Sequence, residues 1–322
     1  MIKLFLNNQS PVLVLIPIFT GIHLLLGYYH PSFELLSVSS SDNLWGINFT
    51  NINYLASKVL VLIFISINAI FLNFIFNTFE FFERLTYIPS VLYILILFLF
   101  PTSLQFNEIV IAHLFFLLSF YQLLKVRQNE DARNFAFLSG FFLGIAISFI
   151  PAFFVALLII LIGIFTIRPF NLRELILPLA GIGVIFFWLY LFVPDFSLNN
   201  IQFESNYNIS EVNSTFQYVV LCFLGLYLLF ALKRMIDSRR KSSVRFKKIN
   251  YIVIFGLLIL FLTAVLLFLI YDTVYYFPIA VVLVPFILAY LYIRELNRIA
   301  IRIFYSMFYI LIVLNIIKFL IV

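Results

Sequence analysis

Residues 134–168 read NFAFLSGFFLGIAISFIPAFFVALLIILIGIFTIR, and the fold class turns on how this stretch is placed. Its first 34 positions carry no charge. As a single α-helix, at about 1.5 Å per residue, they would run about 51 Å, against roughly 30 Å of bilayer hydrocarbon. The stretch must therefore double back. Pro151 marks the break, because proline lacks a backbone N–H and its ring clashes with the preceding turn. Arg133 and Arg168 then lie on the same side, joined by two antiparallel crossings.

Outward from this hairpin the rest of the chain has the same character. Of 322 residues 64% are hydrophobic, 20% aromatic and only 11% charged, where a soluble domain carries about 25% charged residues. Mean hydropathy is +1.14. That balance excludes a globular enzyme with one anchor, a secreted disulfide scaffold, a disordered chain and a nucleic-acid binder. The one cysteine, Cys222, has no partner for a disulfide or a thiolate metal site. The expected fold is all-α: a polytopic transmembrane bundle forming a single integral membrane domain over 1–322.

Apolar runs between polar breaks give eleven expected helices, at 11–29, 57–77, 88–101, 109–124, 134–150, 152–167, 174–193, 216–232, 251–270, 277–293 and 303–320. The division near 101–108 follows the logic of Pro151, since a polar patch there separates Arg84 from Lys125. The opening segment, with Lys3 before a long apolar run and no small-residue cleavage site after it, is expected to be the first span.

Cations test the count. With the N terminus inside, 18 of the 20 Lys and Arg fall on the inner side, and only Lys58 and Lys318 fall outside. The carboxylates divide evenly, seven of 14 outside. Short loops keep their cations in the cytoplasm, so one wrong span would spoil this division downstream. An odd count puts the C terminus outside. The expected location is a bacterial inner membrane.

Two long outer loops, 30–54 and 194–215, could carry chemistry. The first holds Glu34, Asp42 and Trp45, the second Asp195, Glu204 and Glu211. Outer carboxylates can bind a hard divalent cation or deprotonate an acceptor hydroxyl. They also suit solvated loops with no chemistry, and none forms an Asp-x-Asp pair. Sequons at Asn48, Asn208 and Asn213 match by pattern alone. The sequence requires no cofactor.

On the inner side Lys233, Arg234, Arg239, Arg240, Lys241, Arg245, Lys247 and Lys248 face the single anion Asp237. They would hold the loop inside and contact anionic lipid or an acidic partner. Arg294, Arg298 and Arg302 recur every four residues and form one anchoring stripe at a helix end. Inside the spans His23, His113, Asn68, Asn73, Gln122 and Asn315 are the polar groups, and no Asp or Glu lies deep in a span as read here. Ala136, Gly140, Gly144 and Ser148 make one smooth helix face, suited to close packing within the chain or with a partner. The 43 Phe and 18 Tyr are expected mostly at lipid or at the interfaces.

The segment from Asn134 through Pro151 to Arg168-Pro169-Phe170, with Arg173-Glu174 and the opening Asn-Asn-Gln-Ser-Pro, resembles a family of Bacteroidota inner-membrane proteins defined only as a domain of unknown function. More distantly, its Gly-x-x-x-Gly helix, proline and second apolar helix are similar to the core of the GT-C superfamily, membrane glycosyltransferases that use polyprenyl-phosphate sugars. That likeness implies a working acid in the first outer loop, where Glu34 and Asp42 stand, and an outer cation for the phosphate, where only Lys58 and Lys318 are available. Three classes follow: a non-catalytic scaffold or accessory subunit of an envelope complex, with membrane-protein partners; a GT-C-type transferase; and a transporter or flippase.

Overall fold

The structure, a computed structural model, describes residues 11–28, 43–47, 49, 52–82, 85–126, 131–168, 171–193, 211–239, 243–271, 274–293 and 298–321. Among these residues all regular structure is helical. The elements are α1 (Pro11–Tyr28), α2 (Tyr54–Thr78), α3 (Ile88–Leu97), α4 (Glu108–Lys125), α5 (Arg133–Phe149), α6 (Ala156–Ile167), α7 (Leu172–Phe192), α8 (Glu211–Arg239) and α9 (Val244–Tyr271). Three short helices, α10 (Pro278–Val281), α11 (Val284–Leu288) and α12 (Tyr290–Ile293), precede α13 (Arg298–Ile321). Five helices, α2, α4, α7, α8 and α9, are long and apolar enough to cross a membrane. The chain is a multi-pass membrane protein.

Local chemistry sets the breaks. Asn53 caps α2 by accepting from the Leu55 N–H, and Asn107 caps α4 by accepting from Val110. Helix α2 closes with a left-handed Glu80 (φ 51), the Phe81 N–H reaching back to the Phe76 carbonyl and the Glu80 N–H to that of Asn77. The long stretch breaks where expected: α5 stops at Phe149 and a 3-10 turn, Pro151–Val155, leads into α6. A second 3-10 turn, Pro101–Leu104, separates α3 from α4.

Two expected spans are corrected. Helix α3 has 10 residues, about 15 Å, shorter than a regular spanning helix, and residues 87–100 are buried throughout. The stretch 277–293 is three short helices rather than one, with Pro278 and Pro285 starting two of them, and 275–292 is buried throughout. Each proline removes a helical donor at the point where the axis restarts. These two broken segments pack against each other, α3 against α10 and α11, with α2 and α13 also on α3. They form the centre of the bundle, and one apolar core runs from Ile16 to Leu311.

Two further expectations change. Residues 233–250, read as a loop, are mostly helical: α8 has 29 residues and α9 has 28, each about 42 Å and longer than the hydrocarbon. The basic residues are straight-chain helix formers, so both helices continue past the membrane. The aromatic residues are also less peripheral than composition suggests, since Phe76, Phe98, Phe120, Phe153, Phe286, Tyr93, Tyr227 and Tyr276 are fully enclosed. By contrast α7 turns Ile176, Leu179, Phe187, Trp188 and Leu191 outward, and its main neighbour is α5.

Candidate functional site

The hydrogen bonds sort the helix ends into two groups. At one end, called outer because it lies opposite the basic α8–α9 turn, the backbone of 98–107 leaves the helical pattern. Irregular backbone at membrane depth needs side chains to satisfy it. Ser57 accepts from the Phe106 N–H at 2.9 Å, Asn107 donates to the Thr102 carbonyl at 2.9 Å, and Ser103 donates to the Leu97 and Phe100 carbonyls at 2.7 Å.

Two lysines complete this shell. Lys58, on the first turns of α2, donates to the Leu104 carbonyl at 2.8 Å, and its ammonium lies 4.9 Å from the Tyr54 ring centre. Lys318, near the end of α13, donates to the Phe98 carbonyl. Their relative exposures are 8% and 0%. The His23 ring stacks on Phe98 at 5.1 Å and donates from Nδ1 to the Phe19 carbonyl at 3.2 Å. So α1, α2 and α13 deliver three basic side chains to one backbone turn.

Beside this turn stands Glu108, at 0% exposure the first residue of α4. Its position at a helix N-terminus suits a carboxylate. One oxygen accepts from Asn43 Nδ2 at 3.2 Å and the other from the Tyr275 hydroxyl at 3.4 Å. Asn43 also clamps Ile47, donating to its carbonyl at 2.7 Å and accepting from its N–H at 2.9 Å. The turn 43–47 in addition seals the end of α5: the Leu44 N–H reaches the Ser148 carbonyl at 2.8 Å and the Trp45 indole donates to Ser148 Oγ at 2.7 Å.

Deeper in the bundle a second network links four elements. His113 Nε2 donates to the Pro278 carbonyl at 3.0 Å, which leaves Nδ1 to accept from the Tyr93 hydroxyl at 2.8 Å. Asn68 donates to that hydroxyl at 3.4 Å and to the Val110 carbonyl at 2.8 Å. Every donor has an acceptor, and both ring nitrogens of His113 are engaged. Asn315 ties α13 to α3 through the Leu95 carbonyl at 2.9 Å. Asn73 Oδ1 and Gln122 Oε1 are buried without a hydrogen-bond partner.

At the inner end Arg168 and Glu174 pair at 3.1 Å, Lys248 donates to the Ile167 carbonyl at 3.1 Å, and the Tyr290 hydroxyl donates to the Phe81 carbonyl at 2.8 Å. Lys233, Arg245 and Arg302 are exposed there; Arg234 and Lys247 are half-buried, with Arg234 5.8 Å from the Phe304 ring centre. Arg239 closes α8 and Arg298 opens α13.

Glu34 and Asp42, the expected catalytic acids, lie outside the described residues, as do Arg240, Lys241 and Arg294. Asp42 immediately precedes Asn43, which is bonded to Glu108. Two carboxylates are nonetheless enclosed at helix starts: α4 begins at Glu108 and α7 at Leu172, which puts Glu108 and Glu174 in first turns and not deep in a span. Their caps, Asn107 and Asn171, were a visible signal for this. Among the described residues no group of three or more His, Cys, Asp or Glu could hold a metal.

Ala136, Gly140, Gly144 and Ser148 are all enclosed. A Cβ on Gly140 would stand 2.1 Å from the Pro178 carbonyl oxygen, and one on Gly144 would stand 3.1 Å from the Ile182 Cα. The small-residue face is thus covered by α7 of the same chain. No family model, no curated protein and no solved structure matches this chain.

Proposed function

We propose that this chain is a bacterial inner-membrane protein with eleven apolar segments, its N terminus inside and its C terminus outside, that serves as a non-catalytic accessory subunit of a cell-envelope complex. The observation that carries this reading is the use made of His113: both nitrogens bind neighbouring elements, so the most deeply placed ionisable ring acts as a joint between helices. A transport path through His23, His113 and Asn68 loses support for the same reason, since His23 is engaged in one local contact and His113 and Asn68 in another, through Tyr93. With the small-residue face sealed, the outward side of α7 is where a partner helix would compete with lipid. Photocrosslinkers at Trp188 and Leu191 should capture one defined membrane protein in cells. Labelling of lipid alone would count against the reading.

A second reading, a GT-C-type transferase of lipid-linked sugars, is favoured by one observation: the outer end holds Glu108 and both outer cations next to the segment that follows Asp42. Under it Glu34→Gln and Asp42→Asn should each abolish complementation at unchanged protein levels. Full complementation by both variants excludes it.

A further inference from the structure

We propose that the connection from α6 to α7, together with the first turn of α9, binds the headgroup of an anionic phospholipid in the leaflet at the basic end of the bundle. The inference is independent of both readings above. Two distant parts of the sequence meet there: Lys248 of α9 donates to the Ile167 carbonyl at 3.1 Å, and the next residue, Arg168, pairs with Glu174 of α7 at 3.1 Å. Along α6, α7, α9 and residues 168–171 the chain has five cations, Arg168, Arg173, Arg245, Lys247 and Lys248, against Glu174 as the one carboxylate. All five stand at the same end of these helices. Glu174 offsets Arg168, and four positive charges remain in excess, which attracts an anionic headgroup.

Access and depth fit a lipid. Arg173 and Arg245 are exposed, and Lys247 and Lys248 are half-buried. Arg245 lies three residues before Lys248, so the two share a face of α9. The bond to Ile167 occupies one of the three donors of the Lys248 ammonium. On each of the three helices a large exposed side chain stands three residues deeper on the same face as a cation: Phe165 under Arg168, Ile176 under Arg173 and Tyr251 under Lys248. A phosphate held by the cations therefore lays its acyl chains along apolar groups of the same elements. An acidic protein surface would meet the charges and leave those groups uncovered, which favours a phospholipid as the occupant.

The test separates place from net charge. The full-length protein in a neutral detergent is titrated with dioleoyl phosphatidylglycerol or dioleoyl phosphatidylcholine, and bound lipid is read by native mass spectrometry. Phosphatidylglycerol is expected to bind about ten-fold more tightly. Arg173→Gln, Arg245→Gln and Lys248→Gln, the last keeping an N–H for the Ile167 carbonyl, should each weaken its binding about five-fold, and about 100-fold in combination. Lys233→Gln removes an exposed cation at the same end but on α8, and should leave binding unchanged. Equal retention of the two lipids overturns the proposal, as does an equal loss in Lys233→Gln, which would make the effect one of overall charge. Displacement of phosphatidylglycerol by inorganic phosphate or polyglutamate at equal concentration also overturns it, since the acyl chains would then contribute nothing. Arg173 and Arg245 are exposed, so their variants decide the matter if Lys248→Gln fails to fold.

Discussion

His113 shows how a single residue can be costly to lose without being a reactive centre. Its ring fills both of its hydrogen-bonding valences, toward Tyr93 and toward Pro278, in a fully enclosed position. Removing it orphans a hydroxyl and a carbonyl, each at about 1–3 kcal/mol. His113→Leu should therefore lower stability by about 2–4 kcal/mol, read by denaturant or thermal unfolding in detergent. Tyr93→Phe in the same chain should add less than its cost in the wild type, because its hydroxyl has already lost His113, and what remains is the acceptor it offers the Asn68 amide. A double variant as unstable as the sum of the singles would show that the ring and hydroxyl are not coupled. That His113 belongs in an apolar helix was legible from the sequence. Its partners were not, because Tyr93 sits in a helix the sequence presents as an ordinary span and Pro278 in one that is broken.

At the scale of the element, α5 and α7 form the closest backbone contact among those at the glycines. Gly140 faces Pro178, and Gly181 faces the Phe137 carbonyl, where a Cβ would stand 2.5 Å away. Nothing lies within 4 Å of a Cβ built on Gly183, two residues along the same helix. Gly140→Ala should thus destabilise by several kcal/mol or abolish folding. Gly183→Ala should be neutral or slightly stabilising, since alanine in a helix is favoured over glycine by about 1 kcal/mol. Melting temperatures of the two variants, measured side by side, check this, and equal effects would mean the contact is not as close as the structure has it. The four-residue spacing of small residues on α5 was plain in the sequence. Its partner was not, because α7 announces itself by apolar length and its matching Gly181 is a lone residue in a greasy run.

For the molecule as a whole, every loop contact described here depends on which ends share a side. Single cysteines at Lys233, Lys247 and Arg302, placed in a Cys222→Ser background, should react with membrane-impermeant maleimide only after the membrane is opened. Cysteines at Trp45 and Ile47 should react in intact cells. Labelling of the 233–248 region from outside would reverse the orientation. Composition, the position of Pro151 and the asymmetry of Lys and Arg determined from the sequence alone that this is a helical membrane protein, where its central hairpin folds and which face is basic. Those are properties of transfer between water and lipid, and they are summed along the chain residue by residue. Only the tertiary structure decided that two apolar segments are enclosed and broken, that α7 covers the small-residue face, and that Lys58 and Lys318 donate to carbonyls of the same 98–104 segment. Hydropathy does not distinguish a neighbouring helix from a lipid tail, so which apolar segments bury one another, and which distant charges this brings together, is settled by packing in three dimensions.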